Sequence, residues 1–133
     1  MPIVADASVT VAWFIKAQAT ADTERLLDRA MCETVHVPPL WLPEFVNALV
    51  TLERRRRLPV SEVDDALQAV ADFDIVTERD TSGPGALAAL ARRYALTAYD
   101  ATYLNLALRL KLPFACKDAS LRAAAGRAGV KLA

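Results

Sequence analysis

Four acids in this chain could do chemistry together: Asp6, Glu44, Asp100 and Asp118. Asp6 closes the apolar run Pro2-Ile3-Val4-Ala5, and Asp118 follows Phe114-Ala115-Cys116 almost at once. Each therefore stands at the carboxyl end of an expected strand, where open parallel sheets bind their ligands. Glu44, beside Pro43, and Asp100 fall in the first turn or so of expected helices whose starts can face the same mouth. Carboxylates about 4 Å apart repel by about 4 kcal/mol per pair at an effective dielectric near 20, so such a grouping needs a cation or must protonate. Mg²⁺ or Mn²⁺ suits it, because hard cations take oxygen ligands and keep waters. Such an ion activates water and steadies the charge on a phosphate in transit, so phosphodiester hydrolysis is the natural reaction and no histidine base is required. Against this stands a plain alternative: every one of the four is near a helix start, where Asp and Glu are favoured as caps and by the helix dipole. Taken singly, none of them separates a ligand from a cap.

Other side chains carry the same two readings. Ser8, two after Asp6, can contact a bound water or phosphate, or cap a helix. Asn47, one turn beyond Glu44 on the same face, can orient that carboxylate or sit exposed. The run Arg54 to Arg57 is better read as a solvated helix end than as a phosphate grip. Trp13, Phe14, Trp41 and Phe45 read as core or subunit interface rather than as base-stacking platforms. Gly83 and Gly85 flank a proline and mark a turn, not a phosphate-cradling loop.

With 133 residues, 54% of them apolar, the chain can bury a core without disulfides or a structural metal, and one domain over residues 1–133 is expected. No apolar run approaches the roughly 20 residues that span a bilayer, and the basic start and long apolar stretch of a signal peptide are lacking, so a cytoplasmic protein is expected. Cys32 and Cys116 form no CxxC, and reduced, buried thiols are expected. With one histidine, His36, neither a zinc site nor Ser-His-Asp or Cys-His chemistry has its parts. Net charge is zero, so bulk electrostatics does not announce a nucleic-acid binder. Distribution says more: beyond Thr81 there are eight basic residues (Arg92, Arg93, Arg109, Lys111, Lys117, Arg122, Arg127 and Lys131) against two acids, Asp100 and Asp118. A basic surface with isolated carboxylates suits a site that attracts a polyanion and holds a cation.

The elements that must position these residues alternate. Strands are expected at Pro2–Ala5, Val35–Val37, Asp74–Val76 and Phe114–Cys116, with a possible edge strand at Val130–Leu132. Helices are expected from Val9 to Ile15, Ala21 to Met31, Pro43 toward Arg57, Ser61 through Val70, Ala86 to Tyr94, Thr97 to Leu110 and Ser120 to Ala128. Short apolar strands alternating with helices predict an α/β layered domain with a mostly parallel sheet. No internal repeat, long linker or low-complexity tail interrupts them.

Read together, Val4-Ala5-Asp6-Ala7-Ser8-Val9, Pro43-Glu44-Phe45-Val46-Asn47-Ala48-Leu49, Ala98-Tyr99-Asp100-Ala101-Thr102-Tyr103-Leu104 and Leu112-Pro113-Phe114-Ala115-Cys116-Lys117-Asp118 resemble the PIN-domain family, specifically the VapC toxins of toxin-antitoxin pairs. The motifs occur in family order and span nearly the whole chain. The resemblance implies a three-layer α/β/α fold with a central parallel sheet. It also implies a Mg²⁺- or Mn²⁺-dependent endoribonuclease, a cognate VapB-type antitoxin that blocks the site, and a homodimer, which the apolar Trp13-Phe14 and Trp41-Phe45 segments permit. By motif position Asp6, Glu44 and Asp100 are the core metal-binding acids, Asp118 is the fourth and more variable one, and Ser8 and Asn47 are supporting polar positions. Cys116 departs from the Thr or Ser of many relatives, which touches a supporting hydroxyl and not the carboxylates. The mechanism so implied is attack of water on a phosphodiester, leaving a 5′-phosphate, with Lys117, Arg92 and Arg93 guiding a single-stranded or looped RNA.

Two rivals from other classes are weighed against this. In a phosphotransfer enzyme or receiver-like domain Asp6 would be phosphorylated and Lys117 would contact the phosphate, but a haloacid-dehalogenase-type site wants a second acid at position 8, where Ser8 stands. A non-catalytic PIN-like binding module would be marked by loss of one of the four acids, and all four are present.

Overall fold

The computed structural model describes residues 1–133. The apolar run at the start forms β1 (Ile3–Ala5), in which all three residues are completely buried. A strand sealed on both faces needs a layer of helices on each side. It is flanked by β2 (Val35–Val37) and β4 (Phe114–Ala115), with β3 (Ile75–Thr77) beyond β2, so that the order across the sheet is β3-β2-β1-β4 and every pairing is parallel. Ile3 pairs with Val35, and Val4 with Phe114. The outer strand β3 is half-exposed or exposed, as an edge is.

Seven helices connect and cover the strands: α1 (Ala7–Phe14), α2 (Ala21–Ala30), α3 (Trp41–Arg54), α4 (Val60–Ala69), α5 (Pro84–Tyr94), α6 (Ala98–Leu110) and α7 (Ala119–Arg127). The result is the three-layer α/β/α architecture with a parallel central sheet that the sequence predicts. From β1 the chain runs through α1 and α2 to β2 on one side, while β4 lies on the other side of β1 and leads into α7. The carboxyl ends of β1 and β4 therefore flank the point where the connections diverge, which is where an open α/β sheet leaves a crevice.

Most elements match the expected ones, with differences at their ends. Helix α3 begins at Trp41, two residues before Pro43, because a proline in the first turn lacks only an N–H that would have no partner there. Helix α5 likewise starts at Pro84, with Gly83 as its cap. The possible edge strand at Val130–Leu132 contracts to one parallel bridge, Phe114 with Leu132. Cys116 is buried, but Cys32 is exposed, since it lies in the turn that follows α2 rather than on a packed face. The four aromatic residues belong to the interior. Trp41 stacks on Phe45 at 5.0 Å between ring centres, Phe14 meets Phe45 and Phe73 edge-on, and Trp13 stacks on Phe73. The Trp41 indole N–H donates to the buried Thr10 hydroxyl at 2.9 Å. Trp13, Trp41 and Phe45 are buried and Phe14 is half-buried, so these aromatics serve first as core. The run Arg54 to Arg57 is exposed at the end of α3, where its charge suits the negative end of the helix dipole.

Candidate active site

Asp6 leaves β1 and at once caps α1: its carboxylate accepts from the Val9 backbone N–H at 3.0 Å and from the Ser8 hydroxyl at 2.7 Å. Asp118 does the same for α7, accepting from the Ser120 N–H and hydroxyl at 2.8 Å each and from the Leu121 N–H at 3.4 Å. For these two acids the capping explanation is literally true. It fails for the others. The cap of α6 is Thr97, which accepts from the Asp100 N–H, and α3 has no side-chain cap, so Asp100 and Glu44 are free of that duty.

Asp6 is 8% exposed. Burial drives its carboxyl up to about 6; the Ser8 and Val9 hydrogen bonds oppose this, and the charges of Asp100 and Glu44 add to it. Asp100, half-buried, is raised by burial and then by the charge of Asp118, with the Thr97 hydroxyl working against both. Asp118 is exposed, and its bonds from Ser120 hold it below the ordinary carboxylate range. The fold thus brings Asp6 within electrostatic reach of Glu44 and Asp100, and Asp100 within reach of Asp118. None of the four forms a salt bridge with Lys or Arg.

The expectation of closely spaced carboxylates is not met in full: no three His, Cys, Asp or Glu side chains stand close enough to hold a metal ion as a ready-made cage. The reason is physical. Asp6, Glu44 and Asp118 are each held by donors of the protein, Ser8 and Val9, Tyr103, and Ser120 respectively. In its donor chemistry the set still fits a hard divalent cation, being oxygen-only, anionic and without any internal cationic partner.

Of the supporting residues, Ser8 acts on Asp6 directly, whereas Asn47 is exposed and makes no hydrogen bond to Glu44. The phenol of Tyr103 takes that part, donating to Glu44 Oε1 at 2.6 Å. Sequence reasoning missed it. Tyr103 is three residues after Asp100 on the same helix face, a spacing that could have singled it out, but its partner lies 59 positions away. Burial, then the Glu44 hydrogen bond, pushes the phenol well above its ordinary range, so it remains a donor. Cys116 is buried behind the acids, and burial together with the charge of Asp6 pushes its thiol up to about 12.

Lys117 is exposed beside Asp118 and its ammonium donates to the Gln18 carbonyl at 3.0 Å, tying the β4–α7 loop to the short 3₁₀ turn Lys16–Gln18 after α1. Arg92 and Arg93 are exposed in the last turn of α5, joined by Ala95-Leu96-Thr97 to the start of α6 that bears Asp100. Tyr99, next to Asp100, is 62% exposed. A cleft of about 340 Å³, lined by Ser8, Gln18, Glu44 and Asn47 among others, opens beside these residues. Another, of about 330 Å³, lies near Met1 and Pro113 at the opposite ends of the strands and contains none of the acids.

A family model described as the PIN domain matches residues 3–127 of the chain. The crystal structure of PAE2754 from Pyrobaculum aerophilum is similar with a TM-score of 0.70 at 23% sequence identity, over 93% of this chain and 79% of that one. A PilT N-terminus domain protein, SSO1118, from the hyperthermophilic archaeon Sulfolobus solfataricus P2 is similar with a TM-score of 0.54 at 12% identity, over 100% of this chain and 86% of that one. No curated protein matches. At such identities the two structures speak for the fold alone.

Proposed function

The chain belongs to the PIN domain family, in general a nuclease fold, and from that premise we propose that it is a Mg²⁺- or Mn²⁺-dependent endoribonuclease acting as a VapC-like toxin of a type II toxin-antitoxin pair. The observation that carries this reading is the placement of four acids without cationic partners about the crevice at the ends of β1 and β4, where Asp6 is raised by burial and by two of the others. Asp6, Glu44 and Asp100 would hold the ion, with Asp118 acting directly or through water. When bound, it would neutralise the acids, activate water and offset charge on the scissile phosphate.

The remaining work falls to the chain itself. Ser8 and the Val9 N–H fix the direction of the Asp6 carboxylate, and Tyr103 fixes that of Glu44. Lys117, Arg92 and Arg93 attract phosphates, and the exposed ring of Tyr99 offers a stacking face for an unpaired base. These features favour single-stranded or looped RNA over a small phosphoester. An antitoxin of the VapB type would cover the site, and a homodimer is proposed on the family resemblance.

The test is RNA cleavage with added Mg²⁺ or Mn²⁺, with chelator, and with Asp6→Asn or Asp100→Asn. Cleavage leaving 5′-phosphates is expected only from the wild-type chain with metal; cleavage that survives chelation or both substitutions would overturn the metal-carboxylate reading. For the toxin role, expression alone is expected to arrest growth and a small protein encoded beside it to copurify. Harmless expression of a chain that cleaves RNA in vitro would overturn that role and leave the nuclease standing.

A further inference from the structure

The cleft beside Glu44 has a chemistry that the acids do not explain. Its walls come from α1 (Ala7, Ser8, Val11), α3 (Glu44, Asn47, Ala48) and the 3₁₀ turn (Gln18). At about 340 Å³ it is at the small end of ligand sites. Ala7, Val11 and Ala48 give it an apolar floor, and at its sides stand two neutral amides. The backbone of Gln18 is fixed, its N–H donating to the Ile15 carbonyl and its own carbonyl accepting from Lys117, yet its side-chain amide has no partner in the chain. Asn47 likewise has no side-chain partner. Each amide carries a donor and an acceptor, the combination that reads a base edge.

From this geometry we infer that the cleft is a nucleobase subsite, in which Gln18 and Asn47 read one base of the RNA flanking the scissile phosphate. The inference rests on the ribonuclease reading for the identity of the strand, and on the cleft for the base. Glu44 would be taken up by the ion, and the rest of the lining is apolar or neutral with no cationic side chain, which suits a base rather than a phosphate. An apolar floor suits the face of a base and the paired amides suit its edge. Lys117, bonded to the Gln18 carbonyl, stands where the neighbouring phosphate can meet a positive charge. Specificity is thereby built on residues distinct from the acids.

The experiment needs no turnover. The full-length ¹⁵N-labelled chain is titrated with the four ribonucleoside 5′-monophosphates and with ribose 5-phosphate as the base-free control. Shifts are expected to concentrate on Ala7, Ser8, Gln18, Asn47 and Ala48, with one base preferred, and Gln18→Ala and Asn47→Ala are each expected to weaken that nucleotide about fivefold or more toward the control. Asn47 is exposed, and half-buried Gln18 makes its hydrogen bonds through the backbone alone, so the variants are expected to keep the fold. Equal binding of the control, shifts elsewhere, or unchanged affinity in both variants would overturn the subsite. Sequencing of cut ends separates the two readings. Cleavage whose base preference survives Gln18→Ala would overturn the subsite and keep the nuclease. Base-selective binding in the cleft by a chain that cleaves no RNA with metal would support the subsite and overturn the nuclease.

Discussion

Asp6 carries a cost that its chemistry explains. Its carboxyl is raised to about 6 in the fold from an ordinary 3.8, so the folded state holds the proton more tightly than the unfolded chain does. Its share of stability is greatest below about 4, falls as pH rises through 6 and stays lost above that. Two pKa units amount to about 3 kcal/mol. Asp6→Asn, which can still cap α1, is therefore expected to raise the melting temperature by several degrees at pH 7.5 without divalent ions, with the gain vanishing near pH 4. Mn²⁺ is expected to raise the melting temperature of the wild type and not of the variant, through mass action on the folded state. Thermal denaturation at two pH values, with and without metal, checks both. Tyr103→Phe removes the donor to Glu44 and is expected to weaken the apparent metal affinity for cleavage about tenfold while leaving the rate at saturating metal nearly intact, as a metal titration will read. The cysteines differ in the same local way: iodoacetamide is expected to label exposed Cys32 and spare buried Cys116 in the native chain, by mass spectrometry.

At the scale of elements, α6 positions more of the site than any other helix, since it carries both Asp100 and Tyr103. It is held in place farther along, where the Asn105 amide donates to Asp80 and Ser82 and Arg109 donates to the Arg79 carbonyl, pinning the segment that follows β3. The strands and the order of the helices were legible in the sequence because apolar runs such as Ile3-Val4-Ala5 and periodic stretches such as Leu104 to Leu110 have one economical reading. The positions of Asp6 and Asp118 at strand ends were legible too, because each follows its run directly. Helix starts at Trp41 and Pro84 were less so, since a proline is compatible with several places in a first turn. The pairing of Tyr103 with Glu44 was not, because no local pattern encodes a contact between two helices. Glycine marks the end of α7, where Gly129 has φ of 80°, but elsewhere Arg56, Ala95 and Lys111 adopt left-handed backbone at φ of 55°, 52° and 55°. Ala95→Gly, at the end of α5, is accordingly expected to stabilise the fold by about 1 kcal/mol, measured by urea denaturation.

For the whole molecule, a net charge of zero conceals a division of labour. Exposed basic residues from the second half of the chain lie near a site whose own charges are negative, so on the proposed reading the strand would be drawn to the rim and the ion to the centre. Lys117→Ala is expected to lower RNA affinity and to reduce the dependence of binding on salt by about 0.7 in the log-log slope, the share of one phosphate on a single strand, whereas Tyr99→Ala is expected to lower affinity with little change of slope. Fluorescence anisotropy across a salt series distinguishes them.

The capping duty of Asp6 and Asp118 bears on how such a chain would decay. A lineage released from selection for catalysis is still selected to fold, and it would shed its acids in an order set by what each does for the scaffold. Asp100, whose helix is capped by Thr97, is the cheapest to lose, and Glu44 is held back only by its bond with Tyr103. Asp118, exposed and held by Ser120, would persist longest, while Asp6 would give way to Asn, which keeps the cap of α1 and sheds the buried charge. Silent descendants of this protein are thus expected to keep capping side chains at the two strand ends, Asn as readily as Asp at position 6, and to lose the carboxylate of Asp100 without cost to the scaffold.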